Sequence, residues 1–78
     1  MPTCMWIGPY RFFFYSNDAH EPAHVHVERE RFRAKLWLDP VRLEWNRGFS
    51  RHEIGQVRRQ VEENREELMR CWNDYFNS

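Results

Sequence analysis

Two strictly alternating segments lie side by side at residues 24–38, which read His-Val-His-Val-Glu-Arg-Glu and then Arg-Phe-Arg-Ala-Lys-Leu-Trp-Leu. Polar and apolar side chains exchange at nearly every position, and a period of two is typical of a half-buried β-strand. The pattern predicts strands at residues 24–30 and 32–38. A single residue separates them, so a very short turn joins them.

Two further strands flank this pair. Residues 10–16 (Tyr-Arg-Phe-Phe-Phe-Tyr-Ser) are rich in aromatics and bounded by turn residues, which predicts a strand after a lead-in at residues 1–9. Asp39-Pro40 interrupts the pattern because proline lacks the amide that a sheet ladder needs. Alternation then resumes and predicts a short strand at residues 41–45.

The period changes to that of a helix after Gly48. Ser50 and Glu53 have the spacing of a capping box, which marks a helix start. Apolar residues then recur at intervals of three, four and seven, which predicts one amphipathic helix at residues 51–76. Its length of about 39 Å is enough to cover one sheet face. We therefore expect an α+β fold, with a small antiparallel sheet of about four strands covered on one face by a single long C-terminal helix.

Length and composition limit the class of protein. The chain has 78 residues, with twelve basic and twelve acidic side chains and 17 % aromatics, which indicates one folded domain over residues 1–78 rather than a disordered chain. No segment is long and apolar enough for a membrane helix, and no signal peptide is evident, so we expect a cytoplasmic protein. In that reducing compartment Cys4 and Cys71 are expected to be free thiols.

Alternation divides the strand residues between two faces. The face expected to meet the helix carries Phe12, Phe14, Val25, Val27, Phe32, Ala34, Leu36, Leu38, Val41, Leu43 and Trp45. The opposite, uncovered face carries Arg11, Phe13, Tyr15, His24, His26, Arg33, Lys35 and Trp37. A bare face with large aromatics predicts a partner. That partner is either a protein, including a second copy of the chain, or RNA, with cations on phosphates and rings stacking on bases.

The densest chemistry lies in residues 20–26, which read His-Glu-Pro-Ala-His-Val-His. His24 and His26 are two apart on a strand, so both imidazoles leave the same face. They can hold a divalent metal such as zinc, with a third ligand from the loop residues Asp18, His20 and Glu21. They can equally form a metal-free acid–base group, or simply make structural hydrogen bonds. The sequence leaves all three open.

The chain resembles a bacterial family catalogued as domain of unknown function 4160. Its most specific mark is Glu21-Pro22-Ala23-His24-Val25-His26-Val27, although many relatives have proline in place of Ala23 and a different polar residue in place of His20. The stretches that carry the resemblance are residues 7–18, 21–28, 34–41, 48–50 and 61–68.

The resemblance implies a cytoplasmic prokaryotic protein encoded beside a small partner of domain of unknown function family 2442, in an arrangement like a toxin–antitoxin pair. It implies that Asp18, Glu21, His24 and His26 form the functional cluster. The leading hypothesis is a toxin that acts through this cluster, on RNA if it is an enzyme, as a small ribonuclease-like hydrolase or transferase. The alternatives are a dimeric adaptor that binds a small partner protein and a metal-binding module.

Overall fold

A computed structural model describes residues 3–77, so Met1, Pro2 and Ser78 of the predicted domain lie outside the described residues. Five β-strands come first along the chain: Thr3–Ile7 (β1), Tyr10–Phe13 (β2), His24–Arg29 (β3), Phe32–Leu38 (β4) and Val41–Arg47 (β5). A single 3₁₀ turn, Asp18–His20, lies in the loop between β2 and β3. Two helices follow the strands: Arg51–Glu63 (α1) and Arg65–Phe76 (α2).

The strands form one antiparallel sheet in the order β1-β2-β3-β4-β5, so each strand pairs with its neighbour in sequence. The predicted α+β class and the antiparallel sheet are confirmed. The predicted number of strands is wrong, because residues 3–7 of the expected lead-in form β1 and pair with β2. Neither of the described helices is long and apolar enough to cross a membrane.

The predicted single helix is divided at Asn64. Its backbone angles, φ −111° and ψ 18°, depart from the helical region, and its side-chain amide donates to the Gln60 carbonyl at 2.8 Å. Backbone hydrogen bonds still run from Asn64 to Gln60 and from Leu68 to Asn64. The division is therefore a kink, caused by a polar side chain that competes for the helix's own acceptors.

The core lies between one face of the sheet and the two helices. Its buried members include Phe12, Val25, Val27, Ala34, Leu36 and Leu38 from the strands, and Val57, Val61 and Leu68 from the helices. These residues follow the predicted division of faces. At the end of β2, Phe14 packs against Trp72 and Phe76 of α2, with ring centroids 5.2 Å apart in each case.

Trp45 lies on the face opposite the one predicted. Leu36 of β4 pairs with Leu43, but the preceding residue of β4, Lys35, pairs with Trp45. Glu44 is thus an extra residue, and a bulge of this kind changes the face of the residues that follow it. The strict period of two fails at this point, so Trp45 joins the face that carries the two histidines.

The two cysteines are joined. Cys4 of β1 and Cys71 of α2 form a disulfide, with their Cα atoms 6.0 Å apart, which overturns the expectation of two free thiols. The fold brings the ends of the chain together, a proximity that cysteine spacing alone does not disclose. The bond fixes α2 to an edge strand of the sheet.

Candidate metal centre

The two histidines of β3 lie side by side in a buried aromatic environment. His24 is fully buried and His26 is 5 % exposed. The ring of His26 stacks on Phe13, with centroids 5.4 Å apart, and meets the edge of Tyr15 at 4.9 Å. Trp72 of α2 lies 5.0 Å from the His24 ring. The imidazoles therefore sit in a packed pocket rather than on an open surface.

The expectation of a bare second face is wrong around these histidines. After β2 the chain turns back across this face as the loop of residues 14–23, and that loop brings Asp18 over both rings. Phe13, expected to be available for stacking, is fully buried. A loop without periodicity gives no signal of where it folds, which is why the sequence did not reveal this cover.

Asp18 is held in place by the backbone of the turn that contains it. The Tyr15 amide donates to Asp18 Oδ2 at 2.8 Å, and the Asp18 amide donates to the Tyr15 carbonyl at 3.0 Å. This closed turn places Oδ2 3.0 Å from His24 Nε2 and 3.6 Å from His26 Nε2. One ligand atom from each of Asp18, His24 and His26 lies within 4.8 Å of the other two.

The hydrogen-bond partner of His24 Nδ1 determines which tautomer the neutral ring adopts. His24 Nδ1 lies 2.9 Å from the Pro22 carbonyl oxygen, which can only accept, so Nδ1 carries the hydrogen and donates it. In a neutral ring the Nε2 lone pair then faces the pocket. Metal-binding histidines commonly show this arrangement, in which a backbone carbonyl fixes the tautomer and orients the ring.

Three buried imidazole nitrogens have no hydrogen-bond partner among the described residues: His24 Nε2, His26 Nδ1 and His26 Nε2. The close approach of His24 Nε2 to Asp18 therefore lacks the alignment of a hydrogen bond. Leaving buried polar atoms unpaired is costly, typically about 1–3 kcal/mol each. A cation at the point where these atoms converge would engage both Nε2 lone pairs and the carboxylate together.

The charge states of His26 and Asp18 at neutral pH suit a metal ligand set. Burial, assisted by the neighbouring His24, lowers the pKa of His26 to about 4, so its ring is neutral. Burial tends to raise the pKa of Asp18, but the Tyr15 amide and His24 outweigh burial and lower it, so the side chain is a carboxylate. Neutral imidazoles and an ionised carboxylate are the forms that coordinate a divalent cation.

The other loop candidates lie outside this group. Glu21 approaches the far nitrogen of His24, Nδ1, at 3.6 Å and accepts a hydrogen bond from Lys35. That bond is the main reason why the pKa of Glu21 is lowered. His20 is exposed. Of the three predicted third ligands, the structure brings Asp18 to the site, places Glu21 beside it and leaves His20 in solvent.

The predicted binding residues are mostly engaged in contacts within the protein. Arg11 and Arg33 both pair with Glu28, and Lys35 pairs with Glu21. Two further contacts complete the set: Arg33 donates to the Tyr15 hydroxyl at 3.0 Å, and Trp37 donates to Glu44 at 2.9 Å. Each of these cations is therefore paired with a carboxylate of the protein, although Arg11 and Arg33 share one. Sequence reasoning missed Trp45 and Trp72, the first because of the bulge and the second because it was assigned to the helix stripe.

Comparison with protein families assigns the chain to one family. Residues 10–73 match the family described as "Domain of unknown function (DUF4160)", and the chain belongs to that family. The matched range includes Asp18, His24 and His26. No curated protein matches the chain, and no solved structure matches it.

Proposed function

We propose that this protein binds one divalent transition-metal ion, with zinc as the best fit, through Asp18, His24 and His26. The observation that carries the proposal is the convergence of two buried, unpaired Nε2 atoms on one fixed carboxylate oxygen. Two imidazoles and a carboxylate form a ligand set typical of zinc and related first-row metals.

The distances agree with a zinc ion at this point. Zinc bonds of 2.0–2.2 Å in a tetrahedral site place neighbouring ligand atoms about 3.3–3.6 Å apart. Asp18 Oδ2 lies 3.0 Å from one Nε2 and 3.6 Å from the other, which brackets that value. All three ligand atoms lie within 4.8 Å of one another, and the β3 backbone already orders both rings on one face.

Three protein ligands leave one position for an outside group. Structural zinc sites usually have four protein ligands, whereas catalytic sites have three and a water or substrate oxygen in the fourth position. Asp18 is the most accessible of the three side chains, at 15 % exposed, and is the one that an outside group would meet first. The ion would supply Lewis acidity there and would lower the pKa of a bound water.

The metal hypothesis accounts for the site better than the metal-free one. A general acid of the acid–base mechanism must carry a proton near neutral pH, and His26, whose pKa burial lowers to about 4, fits only the base role. Lys35, one of the cations expected to hold phosphate, is paired with Glu21. Neither argument applies to a ligand role, for which neutral imidazoles are required.

Zinc titration of the metal-free protein tests the proposal. Zinc at 100 times its dissociation constant should stabilise the fold by about 2.7 kcal/mol, which raises Tm by roughly 10–20 °C for a domain of this size. His26→Gln should remove that increase. The matched control is His52→Gln, which changes an exposed histidine on α1. An equal rise in Tm for His26→Gln and the unsubstituted protein would refute the site.

Cobalt gives an independent readout. Co²⁺ in a site with two imidazoles and one carboxylate should show visible absorption of the intensity expected for four or five ligands, at one equivalent per chain. Asp18→Asn should weaken cobalt binding by removing the charged ligand while its amide oxygen keeps the hydrogen bond from Tyr15. Absorption that is unchanged in both Asp18→Asn and His26→Gln would show that cobalt binds elsewhere.

The toxin role, the cytoplasmic location and a small cognate partner protein stay predictions drawn from the resemblance. Induced expression with and without the neighbouring gene measures the first directly. If the metal site serves toxicity, a His24→Ala, His26→Ala double variant that remains folded should permit growth. Persistent growth inhibition by that variant would separate the site from any toxic activity.

A further inference from the structure

A second group of side chains crosses the same sheet face beside the metal centre. The strand registers place five residues opposite one another, one from each strand, and we call them the arginine row: Trp6, Arg11, Glu28, Arg33 and Arg47. Glu28 is two residues from His26 on β3, so the row lies next to the metal ligands. Among residues 3–77, the hydrogen bond from Arg33 to the Tyr15 hydroxyl is the one that joins the loop over the histidines to this row.

The row has an excess of positive charge. Arg11 and Arg33 share a single carboxylate, that of Glu28. Arg47 is exposed and stacks on Trp45, with 4.6 Å from its guanidinium carbon to the ring centroid, and it has no ion pair among residues 3–77. It sits directly opposite Arg33 on the neighbouring strand. Like charges opposite each other destabilise a sheet, and a bound anion would relieve this repulsion.

The other end of the row carries an exposed flat ring. Trp6 is 64 % exposed, the largest exposed fraction among the described large apolar side chains. It lies on β1, four strands from Arg47, which is about 19 Å at the usual strand spacing of about 4.8 Å. The ordered Arg11–Glu28–Arg33 network forms the surface between Trp6 and Arg47.

We propose that the arginine row binds single-stranded nucleic acid, with phosphates at Arg33 and Arg47 and one base stacked on Trp6. An exposed indole together with aligned guanidinium groups is the combination that such ligands require. The span of about 19 Å corresponds to about six nucleotides at a stacked spacing of about 3.4 Å. An acidic peptide would satisfy the cations but has no ring for Trp6. This surface replaces the predicted one that used Phe13, and it does not require the metal ion.

Fluorescence anisotropy with a labelled six-nucleotide oligouridylate tests the proposal on the full chain, with and without zinc. Each phosphate contact with single-stranded nucleic acid contributes about −0.7 to the slope of log affinity against log salt. Arg47→Gln should therefore make the slope shallower by about 0.7. Trp6→Ala should weaken binding about tenfold and leave the slope unchanged. The matched control is Arg59→Gln, an exposed arginine on α1.

The outcomes separate the alternatives. Selective effects of Trp6→Ala and Arg47→Gln, with or without zinc, support the proposal. Equal effects of Arg47→Gln and Arg59→Gln would show diffuse attraction and overturn it, as would an unchanged affinity in Trp6→Ala. Equal competition by hexaglutamate would overturn it too, by showing that the row is a general anion surface. Because the zinc-free protein is measured too, failure here is distinct from failure of the metal site.

Discussion

Glu53 joins α1 to the sheet through a single carboxylate. Its two oxygens accept from Arg29 Nε and NH2 at 2.6 and 2.8 Å, and the Tyr10 hydroxyl donates to it at 2.7 Å. The predicted capping box is therefore only half formed. Ser50 accepts from the Glu53 amide at 3.1 Å, but the Glu53 side chain turns to the sheet instead of the helix end.

The same carboxylate should make stability depend on pH. The hydrogen bonds from Arg29, and then from Tyr10, lower the pKa of Glu53 below its ordinary value of 4.5. A lowered folded-state pKa gives stability that is fully present above the unfolded pKa and is lost as pH falls through the folded one. Glu53→Gln should flatten the fall in Tm below pH 5. A loss of Tm in Glu53→Gln equal at pH 4 and pH 7 would contradict this account.

Glu63→Gln is the matched control for that measurement, because Glu63 is exposed near the end of α1. The fall in Tm of Glu63→Gln below pH 5 should match that of the unsubstituted protein. Thermal unfolding by circular dichroism from pH 3 to pH 8 measures all three proteins.

Phe13 and Trp6 are aromatics on the same sheet face with opposite roles. Phe13 is fully buried against Tyr15 and His26, and removal of a buried phenylalanine costs about 3–5 kcal/mol. Trp6 is mostly exposed, so Trp6→Ala should change the free energy of unfolding by no more than about 0.5 kcal/mol. Urea unfolding of Phe13→Ala and Trp6→Ala measures both. Similar losses in the two variants would mean that Trp6 is packed rather than free.

At the level of single residues, the sequence predicts that His24 and His26 lie together but does not predict what surrounds them. The spacing of His24 and His26 on an alternating strand is enough to place both rings on one face. Asp18 is one of three candidates, and only the turn closed on Tyr15 selects it over Glu21 and His20. That selection depends on backbone angles in an irregular loop, for which periodicity carries no information.

Among the elements, β4 has its predicted bounds, whereas β1 is absent from the prediction. Residues 32–38 alternate without interruption, whereas residues 3–7 form a short segment whose pairing with β2 is irregular at Cys4. The bulge at Glu44 and the kink at Asn64 each break a period that sequence reasoning extends. The bulge and the kink each depend on local hydrogen bonds, and a pattern of apolar residues carries no information about those bonds.

Two glycines near the start of α1 should respond oppositely to alanine. Gly55 lies inside α1, where an added methyl group would meet open space, so Gly55→Ala should stabilise the protein by about 1 kcal/mol. Gly48 has φ +103°, and a methyl group there would collide with the Phe32 ring. Gly48→Ala should destabilise by about 1–3 kcal/mol. Chemical denaturation compares the two, and the same sign for both would contradict this description of the β5–α1 connection.

At the scale of the whole molecule, the layered arrangement of sheet and helices follows from the sequence, but the contact between β1 and α2 does not. Alternation in the strands and the helical stripe predict which faces meet. The meeting of β1 with α2 brings together residues 67 positions apart, through an edge strand that the sequence does not reveal. The expectation of free thiols depended on a reducing compartment. The fold instead places the two cysteines close enough to form a disulfide.

The disulfide should contribute substantially to the stability of so small a domain. Closing a loop between Cys4 and Cys71, 67 residues apart, restricts the unfolded chain and is worth about 4 kcal/mol in the chain-entropy description. A Cys4→Ser, Cys71→Ser double variant should therefore unfold at a much lower urea concentration. Dithiothreitol should lower the midpoint of the unsubstituted protein toward that of the double variant and leave the variant unchanged.

The same bond links β1 and α2 to the candidate metal centre. Trp72 follows Cys71 and lies against the His24 ring, so loss of the disulfide should loosen the wall of the site. Zinc binding by the double variant should therefore be weaker than that of the unsubstituted protein, measured by calorimetric titration at a temperature where both are folded. A free-thiol assay on the unfolded protein checks the premise, and two reactive thiols per chain without reductant would refute the bond.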